Sequence, residues 1–361
     1  MSQRSNLQIP SGVQCFYGRE ARLRRQVERV VGEVFSGWSY EEIIVPLFDY
    51  FDVFARGGGP SFNDYIYRFI GRNGELLALR PDFTALVAKV VASRMQDRSL
   101  PLRLFYSGEV LRYQPPQAGQ QKELFQIGLE HFGDGLTADL EVLLVAFEAL
   151  DRVGANDAVV TLGHIGFVNG ILEESEVAVE VRPELLEAMR CRDADRVKGM
   201  LGREAPPAVM EAMRLFGGPE VLERAGAIAK HADSVAAVAR LTALSSELET
   251  LGLGDRVQLD LGEVRGFDYY TGMVFEVYGP GTGLELGGGG RYDSLLGRFG
   301  VPWPAVGFSL SLDRLAQVSG DKKLGGSKES PVKTIALEDD RSRGLAEALR
   351  LRQQGVKVRI S

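Results

Sequence analysis

Residues 125–133, FQIGLEHFG, alternate between apolar and polar types with a period of two. In an extended strand, neighbouring side chains point to opposite faces. Gln126, Gly128 and Glu130 then share one side, and Phe125, Ile127 and Leu129 the other. The apolar set belongs to a core. The polar side offers an amide, a gap without a side chain and a carboxylate in a row. That set suits a small polar ligand carrying an amine or an imidazole. The same alternation also fits an ordinary strand with its polar side in water.

A second chemical segment is VRGFDYYTGMVFEVYG, beginning at Val264. Arg265 has the planar, forked donors that clamp a carboxylate or phosphate. Asp268, Tyr269 and Tyr270 follow closely. Read as a strand, this segment turns only one of the two tyrosines toward a pocket while the other packs. Arg265 paired with a surface acid is the plain alternative. A third segment, ELGGGGRYDSLL, carries Gly287 to Gly290 and so lets a backbone approach a ligand closely. It does not match the phosphate-cradling GxxxxGK[ST] pattern, and GxGxxG is met only in degenerate form. A glycine strand forming the floor of a pocket, or a flexible loop, fits it better.

His131, His164 and His231 have no metal-ligand spacing, and a structural role suits them, His131 included. Cys15 and Cys191 are far apart and form no CxxC, so neither a disulfide framework nor a cysteine zinc site is expected. No HExxH or nucleophile elbow occurs.

The elements that would position these residues follow from periodicity. Leu23, Val27, Val30, Val31 and Val34 recur at helical spacing over 20–35. EEIIVPLFDYFDVF reads as a short strand broken at Pro46 and then a helix that stops at Gly57, Gly58, Gly59 and Pro60. Residues 65–80 look like a hairpin turning at Asn73-Gly74. FTALVAKVVASRM is a helix, and LRLFYSGEVLRY and ELFQIGLEHFG are strands joined by QPPQAGQQK. Hairpin-linked strands point to an antiparallel sheet with helices packed around it. Another helix covers 139–153, a helical insertion about 171–250, and strands about 256–279 and 285–290. A last helix of this part is expected to begin near Gly307. GDKKLGGSKESP reads as a linker, and the remaining residues form one strand–helix–strand unit, too small to bury its own sheet.

At 361 residues the chain has room for two or three domains at roughly 150 residues each. Hydrophobic residues at 45% and charged residues at 25% are those of an ordinary globular protein. A net charge of −7 argues mildly against nucleic acid as the main partner. The polar start MSQRSNLQIPSG has no apolar signal region, and no apolar run is long enough for a bilayer, so a reducing cytoplasm is the expected compartment.

Taken in order, LRPDFTALVAKVVASR, LPLRLFYSGEVLRYQPPQAGQQKELFQIGLEHFG, VRGFDYYTGMVFE, GGGGRYDSLL and AVGFSLSLDRL resemble the core of histidyl-tRNA synthetase, a class II aminoacyl-tRNA synthetase. The resemblance implies an α+β fold: an antiparallel sheet of roughly six or seven strands flanked by helices, commonly dimeric. It also implies a helical insertion ahead of the VRGFDYY segment. The domains would be a first core part at 1–170, the insertion at 171–250, a second core part at 251–320, and a linker with a truncated βαβ tail at 321–361.

By the same resemblance, Gln126 and Glu130 read the amino acid, Glu130 accepting from an imidazole, and Tyr270 meets the other ring nitrogen, beside Tyr269. Thr84 and Asp82, where the family has a glutamate, would lie near the α-amine, and Arg265 at the carboxylate. The nucleotide half departs from the family. Arg112 and Arg314 persist, but Gln114 replaces an expected acid, and Pro115, Gln120, Gln121 and Lys122 replace a loop that normally carries arginines. Ser311 and Phe83 stand where glycines are usual. The tail matches only the start of the family's anticodon-binding domain.

A kept amino-acid pocket, a remnant nucleotide site and a shortened tail resemble the synthetase-like regulatory subunits of ATP phosphoribosyltransferase. That resemblance implies a non-catalytic chain that joins a short-form catalytic subunit in a hetero-oligomer. It would bind free histidine as the feedback signal at the opening of histidine biosynthesis. It would self-associate as a class II-type dimer, use no cofactor or metal, and engage neither tRNA nor membrane. A histidyl-tRNA synthetase with a shortened C-terminus is the alternative, since Arg112, Arg265 and Arg314 are all present.

Overall fold

The computed structural model describes residues 8–58, 60–113, 121–202, 205–262, 269–279, 283–323, 333–335, 341–354 and 356–360. The chain divides into two compact units, Met1–Gly320 and Asp321–Ser361.

In the first unit, helix α1 (Gly18–Gly37) buries Val27, Val30, Val31, Val34 and Phe35, the stripe that its 3.6-residue repeat lays along one face. Strand β1 (Glu41–Glu42) follows. Next come β2 (Phe48–Tyr50), helix α2 (Phe51–Gly58), β3 (Arg68–Ile70) and β4 (Leu76–Leu79). β2, β4 and β3 make a small antiparallel sheet. Its β3–β4 hairpin turns at the expected place, where Gly74 adopts φ 89°, a conformation glycine reaches without strain.

Helix α3 (Thr84–Arg94), long strands β5 (Leu102–Leu111) and β6 (Glu123–Phe132), helix α4 (Leu136–Arg152), strand β7 (Val159–His164) and helix α5 (Ile165–Glu174) come next. Short helices α6 (Arg182–Arg190), α7 (Ala194–Leu201) and α8 (Pro207–Ala212) precede strand β8 (Phe216–Gly217). Helices α9 (Val221–Ile228) and α10 (Ala232–Thr250) complete the helical region, with α10 packed on α5 and α4. His164 and His231 cap α5 and α10, accepting from Gly166 N at 3.1 Å and Asp233 N at 3.3 Å. Strands β9 (Val257–Asp260), β10 (Met273–Tyr278), β11 (Glu285–Arg291) and β12 (Ala305–Ser311) lead into helix α11 (Leu312–Lys323).

Nine strands form one mixed sheet in the order β1-β5-β6-β12-β11-β10-β7-β9-β8. Its long central strands are antiparallel, while β1 runs parallel to β5 and β7 parallel to β9. Residues 305–311 correct one expectation: Gly307 lies inside a strand, and the helix starts five residues later, at Leu312. AVGFSLS is buried between β11 and β6, and an apolar run buried on both sides has no period that separates strand from helix.

One face of the sheet packs on α1, where Phe35 meets the edges of Phe105 and Phe308 at 5.8 and 5.7 Å. The other face carries a cluster in which Val87 of α3 packs with Leu104, Tyr106, Tyr269 and Tyr292. In the second unit, β13 (Lys333–Ile335), α12 (Arg341–Gln353) and β14 (Val358–Ile360) form a βαβ unit with parallel strands. Among the described residues, no helix is long and apolar enough to cross a membrane.

Candidate functional site

Sheet register sets the site. Tyr106 faces Gly128 across β5 and β6, Glu130 faces Gly307 across β6 and β12, and Ser309 faces Gly288 across β12 and β11. Of these, Tyr106, Glu130, Gly288, Gly307 and Ser309 line a cavity of about 50 Å³ with Asp82, Thr84, Gln126, Tyr269, Tyr270 and Tyr292. That is far under the roughly 300–1,000 Å³ of drug-sized pockets.

Glu130 is its centre and is 1% exposed. Thr84 Oγ1 donates to its carboxylate at 2.8 Å, Tyr106 Oη at 3.3 Å, and Tyr292 Oη makes the closest contact. Burial pushes this carboxyl up to about 8, against the pull of the three hydroxyls, and the nearby Asp82 charge adds to the rise. A cation entering here would expel a proton. An ionised carboxylate has about four lone-pair positions, so three hydroxyls leave one for a ligand N–H.

Asp82, 4% exposed, accepts from Ala85 N at 3.2 Å at the start of α3, and burial raises its carboxyl too. The wall behind Thr84 is a sandwich. Arg80 donates to Glu109 O and Val45 O, its guanidinium lies 3.8 Å from the Phe83 ring centre, and Phe83 stacks on Tyr106 at 4.2 Å. The bulk expected from Phe83 thus forms a wall of the cavity.

Tyr269 and Tyr270 both line the cavity, which corrects the expectation that only one faces it. They precede β10, which begins at Met273, so strand alternation does not apply to them. Next to Tyr292 in the chain, Arg291 anchors an ionic cluster. Arg291 bonds Asp139 Oδ1 through Nε at 2.8 Å and Asp293 Oδ1 at 2.9 Å, while Arg240 of α10 bonds Asp139 Oδ2 at 2.9 Å. Asp139 is 0% exposed.

The structure therefore brings Asp82, Thr84, Gln126, Glu130, Tyr269 and Tyr270 together, and Arg112 with them. Arg112 donates from Nε to Pro81 O at 2.9 Å. Arg314 is not in the lining; its guanidinium bonds Glu285 O at 2.6 Å. Arg265, Asp268, Gln114, Pro115 and Gln120 lie outside the described residues. Sequence reading missed Tyr106, Tyr292 and the Arg240–Asp139–Arg291 cluster. The signal open to a sequence reading is that alternation along LRLFYSGEVL puts Tyr106 on the face of Leu104 and that Tyr292 directly follows the glycine strand and Arg291, yet neither pattern names Glu130 as a partner. His131 is buried, 3.8 Å from Glu141, and burial lowers its basicity. Among the described residues, no cluster of three metal-binding side chains occurs.

Comparisons with known proteins converge on this fold. Residues 12–315 match the histidyl-tRNA synthetase family. A protein of Geobacter sulfurreducens named ATP phosphoribosyltransferase regulatory subunit is 37% identical over 357 residues, covering 96% of this chain and 81% of its own length. A histidine–tRNA ligase of Methanocaldococcus jannaschii is 34% identical over 362 residues, covering 98% of this chain and 85% of that protein. The solved structure of an ATP phosphoribosyltransferase regulatory subunit/histidyl-tRNA synthetase from Bacillus halodurans superposes with a TM-score of 0.87 at 28% identity, covering 99% of this chain and 93% of that one. With the family match, the relatives and the superposed fold in agreement, the chain belongs to the histidyl-tRNA synthetase family, in the group that includes the ATP phosphoribosyltransferase regulatory subunits.

Proposed function

We propose that this chain is a regulatory subunit of ATP phosphoribosyltransferase that binds free histidine in the Glu130 cavity and does not itself aminoacylate tRNA. The observation that carries the reading is the buried carboxylate with one lone-pair position left by Thr84, Tyr106 and Tyr292. A ring N–H of histidine completes Glu130, and Tyr270 meets the other side of the ring. Asp82 and Thr84 take the α-amine, and Arg265 takes the carboxylate. Each charge of a zwitterion is then answered, as burial requires. Relatives carrying the regulatory-subunit name support a catalytic ATP phosphoribosyltransferase partner, and its being a short-form chain in a cytoplasmic hetero-oligomer belongs to the proposal.

Feedback requires histidine to bind the inhibited assembly more tightly than the active one, a difference of about 1–3 kcal/mol in typical allosteric systems. Self-association as a class II-type dimer belongs to the proposal. Phe48, Tyr50 and Phe69 stand exposed on one face of the small sheet and support it, because a contiguous exposed apolar patch marks an association surface.

The test is calorimetric titration of histidine into the purified chain, alone and with the catalytic chain, followed by activity with and without histidine. Saturable binding and histidine-dependent inhibition are expected. Robust histidine-dependent exchange of pyrophosphate into ATP would replace this reading with a synthetase.

A further inference from the structure

The face of the sheet that holds the Glu130 cavity continues past the glycine strand. One cross-sheet row runs from Ser309 through Gly288 and Glu276 to Thr161 and Gln258. Ser309 and Gly288 line the Glu130 cavity, whereas Thr161 and Gln258 line a second cavity of about 310 Å³, completed by residues that follow from α6 and by β8. Nothing in the Glu130 chemistry uses this second space.

Its charged groups are organised. Arg192 has φ 52°, a left-handed conformation that is uncommon and costly for a residue with a side chain. Its guanidinium donates to Met213 O and reaches Asp260 Oδ2 at 2.5 Å. Asp260 is 6% exposed and fixed from its other oxygen, which accepts from Gly262 N at 3.1 Å. A buried carboxylate that orients an arginine at a cavity wall holds its fork in advance of a ligand. Arg190, at the end of α6, is aligned by Glu187 through Nε at 2.7 Å. The lining thus carries two arginines, Arg192 paired with Asp260 and Arg190 with Glu187, each guanidinium keeping further N–H donors beyond its carboxylate. Phe216, 50% exposed, supplies an apolar ring beside the arginines.

We infer that this cavity binds a small phosphate ester, its phosphate held by Arg190 and Arg192 and its sugar or base lying among Phe216, Thr161 and Gln258. Forked guanidinium donors match phosphate oxygens. Gln258 and Thr161 supply the amide and hydroxyl that sugars and bases use. A volume at the low end of the roughly 300–1,000 Å³ range suits a sugar phosphate or nucleoside monophosphate better than a triphosphate. The site stands apart from histidine binding and does not depend on it.

The experiment titrates the full chain with inorganic phosphate, ribose 5-phosphate and AMP, each with and without histidine, by calorimetry and amide NMR. Saturable binding of ribose 5-phosphate or AMP is expected, weakening with ionic strength. Perturbed amides should centre on Thr161, Arg192 and Gln258. Tighter AMP than ribose 5-phosphate would assign the Phe216 contact to a base, and the reverse to the sugar. Arg190→Ala should weaken the ester by about tenfold, as loss of a charge-assisted contact does, while histidine affinity and melting temperature hold. Arg192→Lys, which keeps the charge but loses the fork, should weaken it as well. Absence of saturable binding for all three probes at millimolar concentration would overturn the inference. So would unchanged affinity in both variants, or displacement of the probe by histidine.

Discussion

Two regions of one sheet face are finished in opposite ways. Around Glu130 the acids are buried and hydroxyls are aimed at them, with an acceptor position left over. Around Arg112 and Arg314 the cations are anchored on the protein's own carbonyls, and Arg314 sits outside the cavity. A buried charge must be answered, so its surroundings become selective; a guanidinium at the surface is screened by water and salt and selects little. The contrast teaches that retention of residue types is a weaker sign of a working site than retention of an enclosed geometry around them. Both arginines persist, yet only one shares a wall with the acids.

The contrast can be broken or sharpened by substitution. The largest effect is expected at Asp139→Ala, which strips the shared partner from Arg240 and from Arg291, the chain neighbour of Tyr292. Removing one member of a buried ionic group typically costs about 3–5 kcal/mol, readable by urea denaturation. A loss below about 1 kcal/mol would show that the Glu130 region does not rest on this cluster. Next, Glu130→Gln should weaken histidine by roughly ten- to a hundredfold in calorimetry, the loss of a hydrogen bond to a charged group. Unchanged affinity would move the ligand elsewhere.

The same variant carries a pH signature. Glu130 sits near 8 in the folded chain against an ordinary 4.5. Between these values the folded state keeps a proton that the unfolded state has released, so stability falls as pH rises from about 4.5 to 8. Glu130→Gln should flatten that decline; equal slopes for both proteins would contradict the raised carboxyl. Tyr270→Phe should cost about 0.5–1.5 kcal/mol of histidine binding, one neutral hydrogen bond. Smallest of all, Arg314→Ala should leave histidine affinity unchanged and shift stability by under about 1 kcal/mol, the worth of an exposed pair. A large affinity loss there would reunite the two regions.

Much of this was legible in local pattern. Alternation in FQIGLEHFG assigned Gln126 and Glu130 to one face because a strand buried on one side repeats every two residues. Asn73-Gly74 announced its hairpin through the backbone freedom of glycine. Tyr106 and Tyr292 escaped because their meeting with Glu130 depends on register between β5 and β6 and on the turn after β11, which no local window contains. Asp139 escaped for a related reason: its partners Arg240 and Arg291 lie 101 and 152 residues away. Ala305–Ser311 was misread because a strand buried on both sides shows no alternation. The tyrosine pair was misjudged because strand geometry was assumed for residues that precede the strand.

Gly307 lies directly under the carboxylate of Glu130, and a β-carbon there would strike both that carboxylate and the carbonyl of Leu129. At this point the floor of the cavity is main chain, with nothing on it to trim or exchange. A single methyl there has to displace the acid, so variation of this cavity is open at side-chain positions such as Phe83 or Gln126 and closed at residue 307.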